Sequence, residues 1–139
     1  EGITPRGTYD NWITTQSPDV TSNHITRTFL GSTAKPTMTF SSTGRPISKG
    51  MAENLTLAMS GFTPNSTVNI KGHNTSPALN NGQDYINVNE NVTVNSSGSY
   101  VWTARPTDDG TTVPRGSYQC WIVVEALGVK SNVINRTFV

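Results

Sequence analysis

Three tryptophans and two arginines are the residues whose types and spacing point most directly to chemistry. Trp12 and Trp121 each lie three positions after a tyrosine, Tyr9 and Tyr118, while Arg27 and Arg136 each stand between apolar residues two positions away on either side. Trp102 stands in the run SYVWTARP. An indole face can stack on a sugar ring or hold a guanidinium as a cation–π pair. Arg136 shares a strand face with Ile134 and Phe138, and either stacks on Trp121 across the adjacent strand or points to solvent from a twisted or bulged strand. If Trp102 and Trp121 are exposed together, they form a platform for a sugar.

Other reactive groups are sparse. His24 and His73 have neither a cysteine nor a second histidine at zinc-ligand spacing. The oxygen-rich loops at 108–110 and 80–84 lack the ligand spacing of an EF-hand. Lys71 is the one candidate for a covalent Lys-to-Asn cross-link, which would require burial beside an acid. No phosphate-cradling glycine loop, nucleophile elbow or acid/base pair can be nominated. The chain is therefore expected to be non-enzymatic, without a catalytic residue, metal or cofactor.

The elements that position these residues occur twice. PRGTYDNWITTQSPDVTSNHITRTFL at 5–30 aligns without a gap on PRGSYQCWIVVEALGVKSNVINRTFV at 114–139, with 13 of 26 positions identical and an offset of 114 − 5 = 109. Pro5 and Gly7, like Pro114 and Gly116, form a turn in which proline sets φ and glycine admits positive φ. Tyr9 and Tyr118 then begin a strand. Period 2 places Trp121 on the face opposite Tyr118, Cys120 and Ile122. Cys120 is the only cysteine and aligns with Asn11, so no internal disulfide can form.

Composition agrees with short strands. Ser, Thr and Asn supply 49 of 139 residues and only 14% are charged, which favours strands and polar turns over solvated helices. Strands are expected near 37–41, 54–60, 67–72, 85–89, 91–94, 99–104, 117–125 and 132–139. The net charge of +1 is spread along the chain, with no cluster to neutralise phosphates or dock on an anionic bilayer, so no nucleic-acid partner is expected and a membrane surface is disfavoured. No apolar run is long enough to insert in a membrane. Six sequons, at Asn54, Asn65, Asn74, Asn91, Asn95 and Asn135, are glycosylation acceptors if the chain is exported. A start at Glu1, without Met or an apolar leader, is expected of a processed product or an excised piece.

GFTPNSTVNI, VNSSGSYVWTA and the closing VPRGSYQCWIVV…SNVINRTFV span roughly half of the chain. They resemble the immunoglobulin-like β-sandwich repeats strung in tandem on bacterial surface proteins, fibres and phage virions. The resemblance implies an all-β, antiparallel sandwich of seven to eight strands over 36–139. It also implies that 1–30 is the closing hairpin of a preceding repeat, joined by a linker at 31–35. Tyr118 resembles the tyrosine corner of that fold, although the paired cysteines are missing.

A lone hairpin is marginal in water. Either the natural polypeptide continues upstream, or the hairpin adds to the sheet edge of a neighbour. The expected role is an extracellular stalk, fibre or filament on a cell or virion surface, with identical or similar repeats as partners. The alternative is a carbohydrate-binding or adhesin module that takes surface glycans on its tryptophans.

Overall fold

Alternation of apolar and polar residues sets the strands, because successive side chains on a strand point to opposite faces. The computed structural model describes residues 7–29, 35–78 and 85–139. It divides into two units, Glu1–Thr33 and Ala34–Val139. The regularity of the repeat is visible in the first of them. Strand β1 (Gly7–Asn11) pairs antiparallel with β4 (Ile25–Phe29), and between them β2 (Thr14–Gln16) pairs with β3 (Asp19–Thr21).

The second unit is a two-layer sandwich. Its first sheet runs β5 (Thr37–Ser42), β6 (Leu55–Ser60), β9 (Tyr100–Ala104), all antiparallel. Phe40, Leu57 and Trp102 are register partners across it and form one buried row. The second sheet runs β8 (Tyr85–Thr93), β7 (Thr67–Thr75), β10 (Gly116–Val124), β12 (Ile134–Phe138), with β11 (Val129–Lys130) beside the far end of β10. Ile70, Val92, Tyr118, Ile122, Val124 and Phe138 face inward from this sheet. Removing a side chain such as Leu57 or Ile122 fully from water is worth about 1.5–3 kcal/mol.

Two connections fix how the layers meet. After β5 the chain crosses to the second sheet, where Ile47 bridges Phe138 in parallel; its N–H donates to the Thr137 carbonyl and its own carbonyl accepts from the Val139 N–H, both at 2.8 Å. At the other end, Gly98 turns at φ +76°, and a Cβ there would lie 2.1 Å from the Phe62 carbonyl oxygen, so the close approach of these two turns requires glycine. The Asn95 side-chain oxygen holds that turn by accepting from the Ser97 N–H, the Ser97 hydroxyl and the Ser99 N–H.

Sheet order, antiparallel pairing and the Tyr118 hydroxyl donating to the Pro114 carbonyl at 2.7 Å identify the fold as an immunoglobulin-like sandwich. One expectation changes. The strands expected at 85–89 and 91–94 form a single strand, β8, which runs through Glu90. An acid on an inward-facing register broke the apolar pattern. Glu90 instead sits at the sandwich edge and accepts the Trp102 indole N–H at 3.0 Å.

Candidate functional site

The closing hairpin of the second unit shows what each kept residue does. Tyr118, Cys120, Ile122 and Val124 of β10 face the core, and Arg136 and Phe138 of β12 share that face. Arg136 is a register partner of Tyr118 and therefore cannot reach Trp121, which points to the other side of the sheet. The expected stacking of Arg136 on Trp121 is corrected accordingly. Arg136 crosses the sandwich to Glu53: its Nε donates at 3.1 and 2.9 Å to the two carboxylate oxygens, and its Nη2 donates at 2.6 Å. Both residues are buried, at 8% and 4% exposure.

Around this pair, the guanidinium carbon lies 5.0 Å from the Phe138 ring centroid, and Tyr118 meets that ring edge-on at 5.6 Å. Burial is the largest single influence on Arg136 and works against its charge, but the hydrogen bonds to Glu53 and the Glu53 charge, with a smaller contribution from Cys120, together outweigh it and the pKa is raised. Burial likewise pushes the Cys120 thiol up, despite the Arg136 Nη1 4.0 Å from its sulfur.

A second clamp ties the hairpin to the opposite sheet. The Asn132 carboxamide accepts from the Phe40 N–H at 2.7 Å and donates to the Phe40 carbonyl at 2.9 Å, replacing the neighbour that edge strand β5 lacks there. Next to it, the Ser131 hydroxyl accepts from the Ile122 N–H and donates to the Asn132 carbonyl.

The hairpin of the first unit repeats this geometry at the offset of 109. Gly7 pairs with Phe29, Tyr9 with Arg27 and Asn11 with Ile25, as Gly116 pairs with Phe138, Tyr118 with Arg136 and Cys120 with Ile134. Thr14 pairs with Thr21 as Val123 pairs with Lys130. Ser22 bonds Ile13 and Asn23 as Ser131 bonds Ile122 and Asn132. What differs is cover. Ile13 is 75% exposed where Ile122 is 1%, and Arg27 is exposed where Arg136 is buried.

The tryptophans separate. Trp102 is 5% exposed in the core, so it offers no sugar platform. It also lines an intersheet cleft of about 550 Å³ whose other walls include Glu53, Glu90, Tyr118 and Arg136. Trp121 is half-buried on the outer face, between the His73 ring at 5.8 Å and Lys130 Nζ at 4.5 Å. Trp12 is exposed and stacks on His24 at 4.5 Å.

Five of the sequon asparagines, Asn54, Asn65, Asn91, Asn95 and Asn135, are exposed. Asn74 is not an acceptor as folded: it faces inward at 6% exposure, and among the described residues its Oδ1 has no hydrogen-bond partner. Lys71 pairs with Glu125 at 2.9 Å near the surface, away from the burial a cross-link requires. Pro5 and the 80–84 loop lie outside the described residues.

The loop at 108–110 uses its carboxylates internally. Two hydrogen bonds from the Arg115 guanidinium, at 2.7 and 3.0 Å, hold the Asp108 carboxyl below its usual range against the opposing effect of burial. The Thr112 hydroxyl and the Thr112 and Thr111 N–H groups hold Asp109 lower still. Glu53 and Asn132 were missed in the sequence. Asn132 had a signal, being identical to Asn23 in the repeat; Glu53 had none.

No family model and no curated protein matches the sequence. Among solved structures, the chain is similar to an alkylpurine DNA glycosylase from Pseudomonas fluorescens bound to DNA containing an abasic site analog. That likeness has 12% identity and a TM-score of 0.57, and covers 76% of this chain and 30% of that one. A β-glucosidase from Listeria innocua in complex with gluconolactone matches at 9% identity and a TM-score of 0.55, over 75% of this chain and 16% of that one. An immunoglobulin-like protein from Pseudomonas aeruginosa matches at 11% identity and a TM-score of 0.43, over 78% and 100%. The chain spans less than a third of the first two structures, and the likeness concerns the fold alone.

Two outcomes are expected. Glu53→Gln should destabilise the second unit by about 3–5 kcal/mol by leaving a buried guanidinium without its charge partner, whereas Glu53→Leu with Arg136→Met should cost far less. Urea unfolding of the single and double variants checks this.

Lowered carboxyl pKa values also stabilise the fold above the unfolded value of 3.8, and that stabilisation is lost as pH falls through the lower folded values. Urea midpoints should therefore be steady from pH 7 to about 5 and drop below about 4. Asp108→Asn and Asp109→Asn should flatten the drop; an unchanged acid slope in both would refute the assignment.

Proposed function

We propose that the chain is a repeat from an extracellular structural protein, in which β-sandwich beads follow one another every 109 residues, the offset 114 − 5, and build a stalk, fibre or filament. The observation that carries this reading is the hairpin at 7–29. It has the register and hydrogen bonds of the hairpin that closes the second unit, yet Ile13, Val20 and Ile25 are all more than half exposed. Covering such side chains is worth about 1.5–3 kcal/mol each when fully buried. In the proposed array, residues 1–30 close the bead before, 31–35 link, and 36–139 form the next complete bead. Identical or similar repeats, in the same or a neighbouring chain, are the partners.

The hydroxyl- and amide-rich composition and the exposed sequons support a place on a cell or virion surface. The role is mechanical and non-enzymatic, with adhesion at most a consequence of what the fibre carries. The carbohydrate-module alternative is weakened by the burial of Trp102 and by the His73 and Lys130 contacts on Trp121.

Pulling the native protein by atomic-force spectroscopy tests the reading. Tandem beads should unfold in a series of equal steps, each releasing on the order of 300 Å, because about 109 residues extend at roughly 3.4 Å each. A single unfolding event followed by detachment would contradict it.

A further inference from the structure

The covered hairpin is a template for what the exposed one binds. Two residues that tie the closing hairpin across the sandwich, Asn132 and Arg136, and the corner tyrosine Tyr118, whose hydroxyl bonds the Pro114 carbonyl, have identical counterparts in the first unit: Asn23, Arg27 and Tyr9. The departures on the same face are compatible with burial. Thr15 replaces Val124, and its hydroxyl already donates to the Pro18 carbonyl at 2.6 Å. Asn11 replaces Cys120, and its Nδ2 donates to the Tyr9 carbonyl at 3.3 Å, leaving the amide oxygen on the side chain that aligns with the thiol beside Arg136.

We infer that the inner face of the 7–29 hairpin docks on an immunoglobulin-like half-sandwich that lacks its own closing hairpin, and that two side chains read this partner. The Asn23 carboxamide takes the backbone N–H and C=O of a first-strand residue, as Asn132 takes those of Phe40. The Arg27 guanidinium takes a buried carboxylate placed like Glu53. The partner is thereby defined by chemistry: an apolar inner face like that of Met38, Phe40 and Leu57, an edge strand with one unpaired N–H and C=O, and one acid. A sandwich without the acid would leave a guanidinium buried beside apolar groups and would be rejected. This inference rests on the tandem reading and adds to it the rule by which beads choose one another.

The test is a fusion in which a second copy of residues 34–109 is placed directly before Glu1, so that the period of the repeat continues through the join. Hydrogen exchange at β1 and β4 should slow at least a hundredfold relative to the unfused chain. Within the fusion, Arg27→Ala, Asn23→Ala, and Glu53→Gln in the added copy should each speed that exchange at least tenfold. Arg27→Ala and Glu53→Gln should be non-additive.

A protected hairpin that ignores all three substitutions would overturn the recognition rule and leave the tandem reading standing. A hairpin as open in the fusion as in the unfused chain would overturn both. Should the fusion not fold, residues 5–30 exchanged for 114–139 decide the matter within the second unit. A folded chain in which Arg27 couples to Glu53 supports the inference, and one that folds without that coupling, or does not fold, overturns it.

Discussion

A two-stranded hairpin can satisfy its ladder hydrogen bonds internally, but it cannot cover its own apolar face, and that requirement organises this molecule. At 116–138 the face is covered, and Tyr118, Ile122 and Phe138 reach 5% exposure or less. At 7–29 the same register and the same serine-centred hydrogen bonds recur, with Ile13 at 75%. Local sequence therefore builds the hairpin in both places, and burial depends on what is packed against it. The proposed function starts from that split: in it, the spare hairpin of one unit closes another.

The interactions that close the sandwich come from both directions. Ile47 pairs with the outer edge of β12, Asn132 clamps the backbone of β5, and the Arg136–Glu53 pair crosses the interior. A buried ion pair adds little net stability over a well-packed apolar replacement, because both ions must be desolvated. Its greater consequence is selectivity. An unmatched guanidinium in the core is costly, so a hairpin carrying Arg136 fits a half-sandwich that carries the acid and is disfavoured on one that does not. The parallel bridge at Ile47 places β12 between two neighbours, which resists its peeling from the sheet.

Much of this was legible in the sequence because period-2 alternation and the internal repeat are strong signals. Leu55, Leu57 and Met59 announce a half-buried strand, and Tyr118 after Pro114-Arg115-Gly116 announces the corner. The strand through Glu90 was not legible, since its inward acid is satisfied by Trp102, a residue from the other sheet. The role of Arg136 was misread for the same reason. Sequence spacing placed it near Trp121, but strand register aligned it with Tyr118 and its partner lies 83 positions away. Side chains satisfied across the two sheets leave no local pattern, and Glu53, Asn132 and Trp102 all belong to that class.

The most direct test of the central claim is electron cryo-microscopy of the native material at a resolution that shows side chains, directed at residues 7–29. The account predicts density of a β-sandwich against the face bearing Tyr9, Ile13 and Arg27, with a carboxylate within hydrogen-bond distance of the Arg27 guanidinium. A hairpin whose inner face meets solvent, or one that docks through the opposite face bearing Trp12, would contradict it.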